Sequence, residues 1–325
     1  MTPKFDLHLH LEGAAPPAFV RGLAREKHMD LSGLFNAAGQ YQFAGYQSFR
    51  RAHAAACDAL QTPQDYHRLT LSVLEGAAAA GVIYCEILLS PDLCCGDLLA
   101  WRDRLDAIID ASRLAEAHLG VTTRGLAIAR RDLGPEVARK SARCAAETAG
   151  DWLVGFGLTG DETICEPKEF AWGFDAAREA GLRPFAEAGM RAGPNSIRDT
   201  IRALGVARIA HGARAIEDLA LVDQLAEEGQ VLICCPAADL AWGLYPNWRA
   251  HPVHALRERG VKVTLATSHP AWVQTTIDRD QVRLAEAFDW DDGVFAAIAR
   301  TSIDAAFCDS DTRDRIAKKL EAAHA

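Results

Sequence analysis

Two histidines two positions apart, His8 and His10, stand in the stretch Phe5-Asp6-Leu7-His8-Leu9-His10-Leu11-Glu12-Gly13, where polar and apolar side chains alternate. On a strand, that period of two projects Asp6, His8, His10 and Glu12 from one face. Two neutral imidazoles so placed can share one divalent cation, zinc foremost, because imidazole is the usual ligand for metals of intermediate softness. The same stretch also reads as a half-buried strand whose histidines are merely hydrogen-bonded. What the rest of the chain brings to that strand decides between the two.

The elements that must do this are legible in the apolar pattern. Short runs with strand character recur at Phe5 to Leu9, Val82 to Leu89, Val121 to Ala129, Trp152 to Leu158, Arg183 to Ala188, Arg208 to His211, Gln230 to Cys234 and Val261 to Ala266. From the second run onward each is followed by a stretch with apolar residues at helical spacing, among them Leu98 to Leu119, Pro135 to Ala149 and Glu217 to Glu228. Strand and helix in alternation imply right-handed crossovers and a parallel sheet. Eight such units in 325 residues imply an α/β fold closed as a (β/α)8 TIM barrel. A doubly wound open sheet would need a Gly-rich phosphate loop after the first strand, and none is there. Residues 16–80 read as a helical insertion and residues 279–325 as carboxy-terminal helices outside the barrel, giving one domain over 1–325.

In such a barrel the reactive groups sit at the carboxy-terminal ends of the strands. The rule selects His8, His10 and Glu12 after the first strand, Glu86 and Ser90 on the second, and Arg130 and Arg131 after the third. It then selects Gly160-Asp161-Glu162, Glu187 to Met190, His211-Gly212, Cys235-Pro236 with Asp239, and Thr267-Ser268-His269-Pro270.

At these residues the chain resembles the adenosine and adenine deaminases of the metal-dependent amidohydrolase barrels. His8-Leu9-His10-Leu11-Glu12-Gly13 is similar to that family's first-strand motif, and Tyr84-Cys85-Glu86-Ile87 with Ser90-Pro91, Gly160-Asp161-Glu162, Ala188-Gly189, His211-Gly212 and Cys235-Pro236 follow in its order and spacing. The resemblance implies one zinc held by the first-strand histidines, a fifth-strand histidine and an eighth-strand aspartate. It also implies a glutamate three residues after the fifth-strand ligand that protonates a purine ring, and a sixth-strand histidine with a second eighth-strand aspartate that handles the attacking water. Glu12 and Gly160 would contact the sugar or base. Gly157 stands where adenosine-specific members often carry an acidic residue.

The chain departs from that pattern where the chemistry is most demanding. Glu187 occupies the fifth-strand ligand position, Met190 the proton-donor position, and Ser268 and His269 replace the paired aspartates. Met190 has no proton to give, and losing a general acid costs on the order of 10² to 10⁴ in rate. His8, His10 and Glu187 would still form a two-histidine, one-carboxylate shell for one divalent metal, zinc foremost. His211, His269 and Glu187 then carry the acid-base work, and Glu12, Gly160, Met190, Ser268 and Trp272 line the substrate. Three functions follow: a rewired metal-assisted hydrolase acting on a small amino-bearing, purine-like heterocycle; a metal-independent acid-base enzyme; and a noncatalytic relative that keeps a ligand pocket.

Weaker signals surround this set. Arg130 and Arg131 could meet an anionic substrate, although a solvated loop pair is the plainer reading. Trp242, Tyr245, Trp248 and Trp272 could stack on a flat ring. His251 and His254 fall on an outer helix and read as surface residues. The net charge of -9 disfavours nucleic acid polymers and anionic membrane, no run is long enough to span a bilayer, and no leader-like apolar segment follows Met1. A small-molecule ligand and a cytoplasmic location are expected, with a homo-oligomer left open. Nine cysteines, including the vicinal pairs Cys94-Cys95 and Cys234-Cys235, fit reduced, mostly buried thiols.

Overall fold

The computed structural model describes residues 2–94 and 96–322. Eight strands, β1 (Lys4–His10), β2 (Val82–Leu89), β3 (Thr122–Arg130), β4 (Leu153–Thr159), β5 (Arg183–Ala188), β6 (Arg208–His211), β7 (Val231–Cys234) and β8 (Lys262–Leu265), follow one another in a single parallel sheet. Backbone hydrogen bonds close the seam between the last strand and the first. Ser268 N–H donates to the His8 carbonyl at 3.0 Å, and His10 N–H donates to the Ser268 carbonyl at 3.0 Å. The result is the TIM barrel that the alternation predicts.

Helices Pro17–Glu26, Gly45–Cys57 and Pro63–Ala79 fill the insertion between β1 and β2. The third begins where the chain says it should: the Thr62 hydroxyl accepts from Asp65 N–H, and the Asp65 carboxylate takes the Thr62 N–H in return, with Pro63 in the first turn. The long helix Leu98–Leu119 is capped by Asp97 and ends on left-handed Gly120. The carboxy-terminal segment forms helices Ile277–Phe288, Asp292–Ala305 and Ser310–Ala322. Among the described residues no helix is long and apolar enough to cross a membrane. All eight described cysteines are free thiols, and Cys94, Cys234 and Cys235 are buried; Cys95 lies outside the described residues.

Inside the barrel, Leu88, Leu126, Ile128, Phe185 and Phe307 form their own apolar cluster. Phe307 comes from the connection after Asp292–Ala305, so the tail does not stay wholly outside: it plugs the amino-terminal end. Gly157 on β4 makes room for Phe185, whose ring edge would lie 2.1 Å from any Cβ placed there. An acidic side chain at that position would have to displace the ring on which His8 rests edge-on, at 6.0 Å between centroids.

Two expectations about the strands are corrected. Glu86 does not reach the mouth; it points into the lower half, where its carboxylate accepts from Arg208 at 2.6 Å and from Phe307 N–H. Asp6 does not join His8 and His10. The β1–β2 register slips between Asp6 and Leu9, and such a bulge re-aims a side chain. The Asp6 carboxylate takes the Thr267 hydroxyl at 2.6 Å instead.

Candidate metal and proton-transfer site

β1 and β5 lie across the mouth from one another and bring His8, His10 and Glu187 together. His8 Nε2 lies 3.0 Å and His10 Nε2 3.1 Å from the same Glu187 oxygen, and all three residues are buried. The other Glu187 oxygen accepts the Gly160 N–H at 3.0 Å. Burial would push the Glu187 carboxyl up, but the hydrogen bonds and charges of His10 and His8 outweigh it and hold it well below the usual carboxylate range. Burial pulls His8 down to about 4, against the pull of Glu187. At neutral pH the pair is therefore a neutral imidazole and an anionic carboxylate, the forms in which both bind metals.

The donor set fits one divalent ion. The ligand atoms of His8, His10 and Glu187 all lie within 4.8 Å of one another. Their 3.0 and 3.1 Å separations approach the ~3.3 Å between neighbouring ligands on a tetrahedral ion with bonds of about 2.0 Å. Two histidines and one carboxylate are also the ligand count of catalytic zinc sites that keep a position open. One feature falls short of such sites: His8 Nδ1 is buried with no hydrogen-bond partner among the described residues, where a metal-bound histidine normally donates its second N–H.

β6 delivers His211, held at a left-handed φ of 63°. Its Nδ1 lies 2.7 Å from Asp239, whose other oxygen lies 3.1 Å from His251 Nε2. Burial lowers the His211 pKa, but Asp239 more than reverses it and the net direction is up. The His211 ring meets His8 edge-on at 5.8 Å and Trp242 at 5.3 Å. After β8, His269 stacks on His10 at 4.1 Å, and its Nδ1 lies 2.9 Å from the Ser268 hydroxyl. Burial, then His10 and His53, drive its pKa well below the ordinary value, so it is a neutral imidazole.

Above this floor opens a cavity of about 510 Å³ lined by His10, Glu12, Gly160, Glu187, Met190 and His269, together with Tyr46, Phe49, His53 and Trp242. The structure thus gathers most of the expected site. Ser268 and Trp272 do not line this cavity. Ser268 is fully buried in the barrel seam, and Trp272 stacks on Tyr41 at 3.9 Å with nearly parallel rings. Of the loop aromatics expected to stack on a ring, Trp242 reaches the cavity, whereas Tyr245 lies against His251. Glu162 serves the loop, its carboxylate accepting from Gly189, Met190 and Arg191 N–H at 2.7–2.8 Å.

The surface readings of two residues are overturned. His251 is 2% exposed, because Asp239 and the Tyr245 ring draw it inward. Arg131 is 1% exposed and turns under the floor, donating to the Glu187 carbonyl at 3.4 Å and to Thr200 at 3.3 Å. Arg130 pairs with Asp92 at 2.5 Å. His53, on the cavity wall and near Cys57 one turn on, was not singled out by the sequence. Its only signal was the four-residue His-to-Cys spacing on a helix.

The chain belongs to the adenosine deaminase family, whose description "Adenosine deaminase" matches residues 3–323. An adenine deaminase of Rhizobium leguminosarum bv. trifolii (strain WSM2304) is 36% identical over 317 residues, which cover 98% of each chain. An adenine deaminase of Agrobacterium fabrum is 35% identical over 319 residues, 98% of this chain and 97% of the other. Among solved structures, the adenine deaminase from Arthrobacter aurescens superposes with a TM-score of 0.91 at 27% identity, each chain covered in full. An amidohydrolase from Burkholderia ambifaria with bound Zn shares the fold, with a TM-score of 0.83 at 22% identity over 99% and 93% of the two chains.

Proposed function

We propose that this chain is a metal-assisted hydrolase that removes an amino group from a small purine-like heterocycle through a rewired site. One observation carries the reading: His8, His10 and Glu187 converge, buried, at the base of a cavity large enough for one flat ring, with His8 neutral and Glu187 anionic, the forms that bind metals. Relatives described as adenine deaminases support the substrate class. The proposed substrate is a small molecule, in keeping with a net charge of -9 that disfavours polyanions.

His8, His10 and Glu187 would hold one divalent ion, zinc foremost, which when bound lowers the pKa of water to about 7 and makes hydroxide available at neutral pH. His211 supplies a second nitrogen near His8 to take a proton from water. Trp242 offers a flat apolar face to the ring. Met190 packs and gives nothing. Of the remaining cavity carboxyls, Asp58 is exposed to solvent, Asp132 is paired with Arg50 and Glu187 is held anionic. Glu12 is 6% exposed, with its carboxyl pushed up by burial, so it is the group suited to hand a proton to a ring nitrogen. Water oxygen adds to the carbon that bears the amino group, the carbon–nitrogen bond breaks, and ammonia leaves with the protons.

A second reading has its own observation. Without any ion, Glu187 already satisfies His8, His10 and Gly160 N–H, and Met190 removes the family's acid, as in a protein that binds a ring without cleaving it. Elemental analysis with and without chelation, followed by ammonia release from adenine and related amino-heterocycles, separates the two. The hydrolase reading expects about one ion per chain, lost in His8→Ala, and turnover that chelation stops. Purine binding by a chain that takes no zinc and releases no ammonia would leave the binding reading standing. Chelator-resistant turnover that requires His211 and His269 would instead mark metal-independent acid-base catalysis.

A further inference from the structure

Asp239 is 1% exposed and stands between two buried imidazoles, His211 Nδ1 at 2.7 Å and His251 Nε2 at 3.1 Å. A carboxylate only accepts, so a proton sits on each of those nitrogens. His251 cannot turn this around, because its Nδ1 already accepts the Val253 N–H at 3.2 Å. His251 is thereby locked as the Nε2–H tautomer, and His211 as the Nδ1–H tautomer. That leaves His211 Nε2 as the bare nitrogen, buried and with no partner among the described residues, on a ring that also meets His8 and the cavity residue Trp242.

We infer that Asp239 and His251 are positioning residues, a relay anchored on the Val253 N–H that fixes His211 in the tautomer whose Nε2 can accept a proton beside His8 and Trp242. The helix Pro236–Ala241 after β7 places Asp239, and the turn before helix Val253–Glu258 places His251. Neither residue reaches the cavity, so both act through His211. The consequence for turnover rests on the hydrolase reading above; the tautomer itself does not.

Asp239→Asn is the decisive variant, because asparagine keeps the shape but carries one acceptor and one donor. With His251 still presenting N–H, the Asn oxygen must face His251 and the Asn NH2 must face His211 Nδ1. The proton of His211 then moves to Nε2, the wrong nitrogen for a base. Nitrogen-15 spectra of histidine-labelled full-length protein at pH 9 read this directly, whether or not the chain is active. His211 in the parent should show a protonated Nδ1 and an unprotonated Nε2, and Asp239→Asn should exchange the two. Adding His251→Phe to Asp239→Asn frees the amide to rotate and should return a mixture. Where turnover is measurable, Asp239→Asn should lower kcat by about 10² to 10⁴ with KM little changed. A proton on Nε2 of the parent, protons on both nitrogens at pH 9, or an unaltered pattern in Asp239→Asn would overturn the inference. If the double variant does not fold, the single exchange still decides.

Discussion

Of the carboxylates buried in this barrel, Glu86 and Glu187 have partners that could hardly differ more. Glu86, fully buried in the lower half, is held by the Arg208 guanidinium at 2.6 Å and by the Phe307 N–H, and Arg208 also lies 3.4 Å over the Phe307 ring. Glu187, near the mouth, is held only by two imidazoles and one backbone N–H. The lower carboxylate has a permanent cation and nothing left to bind. The upper one has no permanent cation on its carboxylate, and so has capacity for a cation from outside. The same side chain in the same barrel becomes a clamp at one end and a candidate ligand at the other.

That contrast can be broken from either side. Arg208→Met should leave Glu86 as an unpaired buried charge, costing about 3–5 kcal/mol in urea unfolding without changing zinc affinity. A loss below about 1 kcal/mol would mean that water or a neighbour replaces the guanidinium, and the clamp assignment would fail. Glu187→Ala should do the reverse: zinc affinity by calorimetric titration should fall by at least about 100-fold, the upper end of what removal of an outer-sphere group costs. Unchanged zinc binding in that variant would remove Glu187 from the ligand set.

The barrel was legible because its evidence is local. All eight strands appear within one or two residues of the expected runs, since β-branched and apolar residues bounded by Gly and Pro mark a buried parallel strand wherever the rest of the chain goes. The gathering of His8, His10, Glu187, His211 and His269 was legible too, because strand ends in a barrel share one face. What failed depends on where a side chain turns. Glu86 falls at the right place on β2 yet points down to Arg208, and Asp6 loses its face to a slip of register. His251 lies on what reads as an outer segment, and only the three-dimensional meeting with Asp239 makes it a buried donor. Ser268 carries a strained φ of 61° because its backbone sews the barrel shut, a duty invisible in residue type.

Another buried carboxylate sharpens the comparison, because Asp280 has neither a cation nor an imidazole among the described residues. Among the described residues its carboxylate is met by the Thr275 hydroxyl alone, and Oδ2 has no partner. Burial, followed by the charges of Asp6 and Asp278 and only partly opposed by Thr275, pushes its pKa up to about 7. The folded chain therefore holds this proton more tightly than the unfolded one. The stability it confers is complete below about pH 4 and is lost as pH rises through 7. Asp280→Asn, which cannot ionise, should gain on the parent across that window and level off above it, reaching about 1–3 kcal/mol at pH 8 in urea unfolding. A constant difference between pH 4 and 8 would show that Asp280 is ionised throughout.

The smallest effect is expected where the two edges of the seam meet. β1 contributes His8 and His10 to the floor through their side chains, whereas the chain after β8 contributes Ser268 chiefly through its backbone, with His8 and His10 as the partners. The Ser268 hydroxyl touches only His269 Nδ1, at 2.9 Å. Ser268→Ala should therefore cost about 1 kcal/mol, the net worth of one hydrogen bond, and leave zinc affinity where it was, because the seam bonds persist in any residue. A marked loss of zinc binding would instead make the hydroxyl a ligand, return the eighth strand to the metal shell, and reduce the difference between the two edges to one of ligand strength.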